Sequence, residues 1–360
     1  MISYVIPTRD RPERLAKTLG ALSALGPHDA EVVVIDNAST PPVTTPSRLA
    51  SGVPVRLIRL ERNLGAAARN AGVQAACHAC DWAVMLDDDS YPLDLGFVPR
   101  LSSMPADVAA VSADIRLSGG RGREQGGLPE VFIGCGVAVR IPVFVALRGY
   151  DESFGYYAEE YDLAARMLSA GYRVVFEPAF RVEHAKVSPG RDMDTIVSRL
   201  VRNNGWVIQR YAPESERRGA LRQMRRRYLS IARQEHAPRG WADGAMELRS
   251  TIRAQVRRPM PGPLWERFTG LAHAREALRR AVERRPFRTA ALVDRGKHAD
   301  LIERALTELG VRLDPDAETR VIGTLSPGPM LDALERRRAR GERIIAPWLD
   351  AGAGPVRSAA

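Results

Sequence analysis

The sequence predicts an α/β protein built on a mostly parallel mixed sheet, and three observations carry that prediction. Continuous β-branched runs such as Val32–Ile35 (VVVI) read as strands buried on both faces. Helical patterns separate such runs over the first ~100 residues. The runs end in polar clusters: Pro7-Thr8-Arg9, Asp36-Asn37-Ala38-Ser39, Glu61-Arg62-Asn63 and Asp87-Asp88-Asp89. Parallel strands would place all four clusters on one sheet edge, where α/β proteins bind ligands.

Taken in order, Ser3–Pro7 is a strand, followed by a helix over Glu13–Leu25 with Leu15, Leu19 and Leu22 on one stripe. Val55–Leu60 is the third strand, Ala66–Ala79 an alanine-rich helix and Trp82–Leu86 the fourth strand. Val108–Leu117 and Val131–Val139 read as strands separated by GGRGREQGG at 119–127, a mobile loop by composition. A helix over Glu159–Ala170 stops at Gly171, and a strand over Tyr172–Glu177 precedes Pro178. Asp192 to Arg285 reads helical, with arginine-rich patches such as RRGALRQMRRR at 217–227. The remainder alternates again: Arg288–Val293, a helix near Ala299–Leu309, Thr319–Gly323, a helix near Met330–Arg340, and Arg343–Ala346. The expected organisation is a catalytic domain over 1–212, an arginine-rich helical region over 213–285 and a small α/β domain over 286–350.

The 360 residues are 45% hydrophobic and 27% charged, as in ordinary globular proteins. No apolar run reaches the ~18 residues of a membrane span. The opening MISYVIPTRD lacks a signal peptide's basic start and long apolar stretch, so a cytoplasmic location is expected. Three cysteines make no disulfide framework. Cys77 and Cys80 form a C-x-x-C around His78, read as the end of a helix before a strand. A structural zinc needs four ligands, and no second pair lies nearby in sequence.

The net charge is +10, and 50 of the 53 basic residues are arginine. No lysine-bearing phosphate loop is present. The charge raises nucleic-acid binding, but no aromatic-plus-basic recognition motif supports it. A nucleotidyltransferase would show a glycine-rich loop after the first strand, and PTRDRPERL has no glycine.

Asp87 and Asp89 are two apart on an extended chain, so both carboxylates face the same way. Such hard oxygen donors suit Mg²⁺ or Mn²⁺ bridging to a diphosphate. Asp88 points the other way, toward an arginine partner.

Five stretches carry a resemblance: SYVIPTRDRPERLAKTLGAL, VVVIDNAST, NLGAAARNAGV, WAVMLDDDSYP and GYYAEEYDLAARMLSAGYRVVFEPAFRVEH. In their order and spacing the first ~190 residues resemble an inverting family-2 glycosyltransferase of the GT-A fold. That resemblance implies a nucleotide-diphosphate sugar donor of UDP, dTDP or GDP type. It implies that Pro7, Thr8, Arg9 and Asp36 hold base and ribose, and that Asn63, Gly65, Arg69 and Asn70 lie beside the nucleotide. Asp87 would contact the ribose or its metal, with Asp88 among the donor-binding residues. Asp89 would be the principal metal ligand, completed by His184 and Asp87.

The family's general base is normally an aspartate in a Glu-Asp pair. Here the text is Glu159-Glu160-Tyr161-Asp162-Leu163, so Glu160 takes that position, with Glu159 and Asp162 as alternatives. The acceptor is expected to be a small molecule, a lipid or a glycan. Asn203, Asn204 and Trp206 follow on a helix that closes over the acceptor or simply packs. The arginine-rich helices read as solvated faces or a peripheral membrane contact. Gly323–Gly328 (GTLSPG) lacks phosphate-loop spacing and reads as dimer contact or core support.

Overall fold

The computed structural model describes residues 1–186 and 192–349. The chain opens with β1 (Ile2–Thr8), α1 (Pro12–Ala24), β2 (Ala30–Asp36), β3 (Val55–Arg59), α2 (Ala68–Ala75), β4 (Trp82–Met85) and β5 (Ser90–Pro92). It continues through α3 (Val98–Ser102), β6 (Val108–Leu117), β7 (Val137–Arg140), α4 (Ile141–Ala146), α5 (Glu159–Ser169) and β8 (Arg173–His184). Five helices follow: α6 (Met193–Tyr211), α7 (Glu214–Gln234), α8 (Pro238–Thr251), α9 (Gly262–Thr269) and α10 (Leu271–Arg284). The last elements are β9 (Thr289–Val293), α11 (Ala299–Glu308), β10 (Arg312–Leu313), β11 (Arg320–Ile322), α12 (Pro327–Arg338) and β12 (Ile344–Ile345).

The chain divides into two compact units, the first comprising Met1–Asp89, Ala138–Tyr172 and Lys186–Trp265. Its strands run in the order β3-β2-β1-β4-β7. β1 pairs in parallel with both β2 and β4, and β2 in parallel with β3. The register sets Thr8 opposite Asp36 and Asp36 opposite Arg59, so the expected single edge of polar strand ends is real. β2 and β4 are buried along their whole length, which is why they read as unbroken apolar runs. α1 turns Leu15, Leu19 and Leu22 inward, and α6 packs against α8.

The second unit comprises Ser90–Val137, Arg173–Ala185 and Glu266–Ala360. In it β8 lies between β6, parallel, and β5, antiparallel. A separate parallel sheet in the order β10-β9-β11-β12 forms the C-terminal α/β part. No helix among the described residues is long and apolar enough to cross a membrane.

Four local expectations are corrected. The strand expected over Val131–Val139 shrinks to Val137–Arg140: Leu128 and Val131 exchange backbone hydrogen bonds in a turn, and a Cβ at Gly136 would stand 2.6 Å from Ile115. The helix expected over Ala66–Ala79 is a 3₁₀ turn, Gly65–Ala67, followed by α2, which stops when Ala76 becomes extended (ψ 146°). Cys77 and Cys80 therefore lie in a turn, not on a helix. β8 runs past Pro178 to His184, because the register jumps from Ala113/Glu177 to Asp114/Arg181 and leaves the proline in a bulge. The glycine-rich stretch is anchored at Arg123, whose backbone N–H and side chain both donate to Asp332 on α12.

Candidate functional site

Three turns at the carboxyl edge of the first unit position most of the predicted residues. After β2, Asp36 is buried, and its carboxylate accepts from Ser39 N–H (2.9 Å), Val43 N–H (3.3 Å) and Arg59 (3.1 Å). Ala38 takes a left-handed conformation (φ 62°) to let the chain double back. Asn37 is buried as well; it accepts from Leu64 N–H (2.8 Å) and donates to the Gly65 carbonyl (3.1 Å). Two of Asp36's three bonds stabilise its own turn, so any ligand there would meet a rigid edge.

The three aspartates after β4 part company. Asp87 is partly exposed and pairs with the buried Arg69, which also donates to the Leu86 carbonyl at 3.1 Å. Asp88 turns the opposite way, to Thr8 Oγ1 (2.8 Å) and Arg11 (2.7 Å). Burial pushes its pKa up to about 6, although Arg11 and Thr8 pull in the other direction. Asp89 is buried and accepts from the second Arg11 amino group at 2.6 Å, with Arg14 at 3.7 Å. One guanidinium at the start of α1 thus bridges two of the three carboxylates, which offsets their mutual repulsion.

The remaining donor-side residues divide. Pro7 lies within β1, and Arg9 is exposed and ion-paired with Asp10 at 3.3 Å. Asn63 accepts from Gly65 N–H (2.9 Å) beside a pocket of ≈ 190 Å³ lined also by Arg62, Glu152, Tyr156 and Arg199. Gly65 has φ 61°, and a Cβ there would lie 2.3 Å from the Gly155 carbonyl, so no other residue fits. Asn70 exchanges two 2.9 Å bonds with the Tyr150 backbone and so holds the segment before α5.

α5 begins from an unusual backbone. Tyr157 and Ala158 both have positive φ (74° and 65°), a conformation that costs non-glycine residues free energy. Asn203 on α6 holds it by donating to the carbonyls of Phe154, Tyr156 and Tyr157 (2.7–3.0 Å). Asn203 and Trp206, which donates to Thr251 at 2.8 Å, therefore pack. Glu159 is buried with one carboxyl oxygen unpartnered. Burial, then the neighbouring Glu160, raises its pKa well above the usual carboxylate range, with Arg69 opposing. Glu160 is partly exposed on the next position. Asp162 is fully engaged: Arg166 (2.9 Å), Arg210 (2.8 Å) and Tyr211 (2.7 Å) all donate to it. That leaves it no free lone pair suited to a substrate proton.

In the second unit, His184 ends β8, and its Nδ1 meets the Glu124 carboxylate at 2.9 Å, both side chains buried.

Residues 3–137 match the family model described as glycosyl transferase family 2. The chain carries a family 2 glycosyltransferase domain. Among solved structures, this glycosyltransferase is similar to GalNAc-T7 with UDP, GalNAc and Mn²⁺, at 17% identity over 71% of this chain and 57% of that one, TM-score 0.50. It is also similar to S. aureus TarS 1-349, at 15% identity over 71% and 83% of the two chains, TM-score 0.46. A mannosyltransferase from Pyrobaculum calidifontis, in complex with GDP-Man and Mn²⁺, aligns at 17% identity over 79% and 82%, TM-score 0.45. No curated protein matches in sequence. The catalytic domain has the GT-A fold.

Sequence reasoning about the glycosyltransferase missed Arg11, Arg59, Asn37 and Glu124. Each sits within a few residues of a recognised motif, but its partner is a distant carboxylate, imidazole or backbone group, which spacing alone does not reveal.

Proposed function

We propose that the enzyme moves a sugar from a nucleotide-diphosphate donor to an acceptor hydroxyl (or amine) in one inverting displacement, with Glu160 as the base. The observation that carries this reading is placement: Arg69 pairs with Asp87, and its neighbours Asn70 and Ala66 bond to the Tyr150 backbone and the Gly155 carbonyl, in the segment that leads into Glu159 and Glu160. Carboxylates from two separate elements thus share one neighbourhood.

Glu160 deprotonates the acceptor, whose oxygen then attacks the anomeric carbon from the face opposite the diphosphate, and no enzyme nucleophile is needed. Burial, reinforced by the neighbouring Glu160, raises the Glu159 pKa well above the usual carboxylate range. Arg69 holds Asp87 at the edge, and Asp36 and Thr8 form the wall on the nucleotide side.

By residue type Asp87 and Asp89 carry the hard carboxylate oxygens that Mg²⁺ or Mn²⁺ prefers, although Asp89 is ion-paired with Arg11 here, and GalNAc-T7 was obtained with UDP and Mn²⁺. An ion held by these carboxylates would neutralise charge on the departing diphosphate. His184, at the end of β8, is fixed through Nδ1 by Glu124.

Thermal shift with UDP, dTDP and GDP, each with and without Mn²⁺, tests the donor site. Wild type should gain stability only with metal and its cognate nucleotide, and Asp89→Ala should lose that gain. Equal shifts in both proteins would refute the assignment. Glu160→Gln should keep the donor-dependent shift and lose transfer by at least about 100-fold. Glutamate where the family has aspartate favours one other reading, a member that binds donor without transferring it. Turnover by wild type decides between them.

A further inference from the structure

We propose that Glu31, Cys77 and Cys80 form a binding site for a thiophilic divalent cation, Zn²⁺ being the natural occupant. A carboxylate oxygen of Glu31 and the two sulfurs all lie within 4.8 Å of one another. The sulfurs are only 3.0 Å apart, both cysteines are free, and Cys80 and Glu31 are buried.

The local backbone makes this cluster. α2 ends at Ala75, and the turn leading into β4 doubles back on the start of β2. Glu31 Oε1 accepts from Cys77 N–H at 2.7 Å and lies 4.0 Å from Cys80 Sγ. Arg56 takes the other carboxylate oxygen at 3.3 Å, which fixes the rotation of the group. The thioether of Met1 stands 3.8 Å from Cys77 Sγ.

Two thiolates and one carboxylate, with water in the fourth position, form a donor set that zinc accepts. In a tetrahedral site with Zn–S of about 2.3 Å the sulfurs stand about 3.7 Å apart, so they need to move by under about 1 Å. Two thiols, one of them buried, pressed together beside a buried carboxylate are a poor arrangement without a cation; coordination releases both thiol protons to solvent, and the ion's two positive charges offset two of the three anionic ligands. The site is distinct from the proposed transfer site. Glu31 and Asp36 lie near opposite ends of β2, roughly 16 Å apart at the rise of a strand. An ion here would tie the α2–β4 turn to β2 at the amino edge of the sheet.

The full chain, reduced and stripped with chelator, should bind one Zn²⁺ in competition with a chromophoric chelator. Cys80→Ser should weaken binding by at least about 100-fold and Glu31→Gln by about 10-fold. Because the cysteine variant could unfold, Co²⁺ is added to the wild type as well: an intense near-ultraviolet thiolate-to-cobalt band is expected. The Mn²⁺-dependent nucleotide shift should survive in Cys80→Ser, which separates this site from the donor site. Failure of wild type to bind Zn²⁺, absence of the cobalt band, or unchanged Zn²⁺ affinity in a folded Cys80→Ser would each overturn the proposal.

Discussion

Glu159 and Glu160 are consecutive residues with opposite surroundings. Glu159 is buried and its carboxyl is driven toward the neutral form, first by burial and then by Glu160. A group whose pKa rises on folding contributes its full stability below its unfolded value and loses it as pH climbs toward the folded one. Wild type should therefore lose stability relative to Glu159→Gln as pH rises above the ordinary carboxylate value of 4.5, by up to about 1.4 kcal/mol per pH unit. Urea denaturation of both proteins across that range measures it, and parallel curves would refute the burial argument. Asp162, two residues on, is by contrast a structural charge: three donors from α5 and α6 surround it. The sequence pattern Glu-Glu-x-Asp cannot tell these three carboxylates apart, because the difference lies in what α6 brings to them.

At the scale of elements, α6 and α8 pack through glycine. Gly240 and Gly244 are one helical turn apart on α8, and Cβ atoms there would meet the backbone of Asp194 at 2.1 Å and of Ser198 at 2.4 Å. Gly244→Ala cannot be relieved by a rotamer change, since the obstacle is a carbonyl. It should cost about 2 kcal/mol, read as a lowered urea midpoint with unchanged slope. The effect should reach α5, since the same α6 carries Asn203, which fixes the left-handed turn before Glu159. Most elements were legible from sequence to within a residue or two, as with Val108–Leu117 and α5. The failures at Ala76 and Pro178 share a cause. A backbone group there answers to a distant partner, the Glu31 carboxylate in one case and the bulged β6–β8 register in the other.

At the scale of the whole molecule, Arg123 shows how the C-terminal part supports the rest of its unit. It is buried and binds Asp114 on β6 (2.6 Å) together with Asp332 (2.7 Å) and Glu335 (2.6 Å) on α12. Arg123→Ala leaves Asp114 buried without that cation, at a cost of about 3 kcal/mol. Limited proteolysis should then cut at 119–122 faster than in wild type; equal rates would show that the loop is held by other means. Composition had marked this stretch as mobile because it is rich in glycine. The arginine that anchors it was visible, but its partners lie 209 and 212 residues away.

What the sequence alone determined is the alternation of buried parallel strands with helices, the polar clusters at their carboxyl ends, and the family to which residues 3–137 belong. These are local properties: periodicity, turn chemistry and motif spacing are written in neighbouring residues. Tertiary structure decided the rest. It gave Asp88 and Asp89 to Arg11, left Asp87 to Arg69, closed Asp162 off, and brought Glu31 to a cysteine pair 46 residues downstream. The reason is that a buried charge takes its character from whichever group folding sets within a few ångströms, and that neighbour is seldom near in sequence.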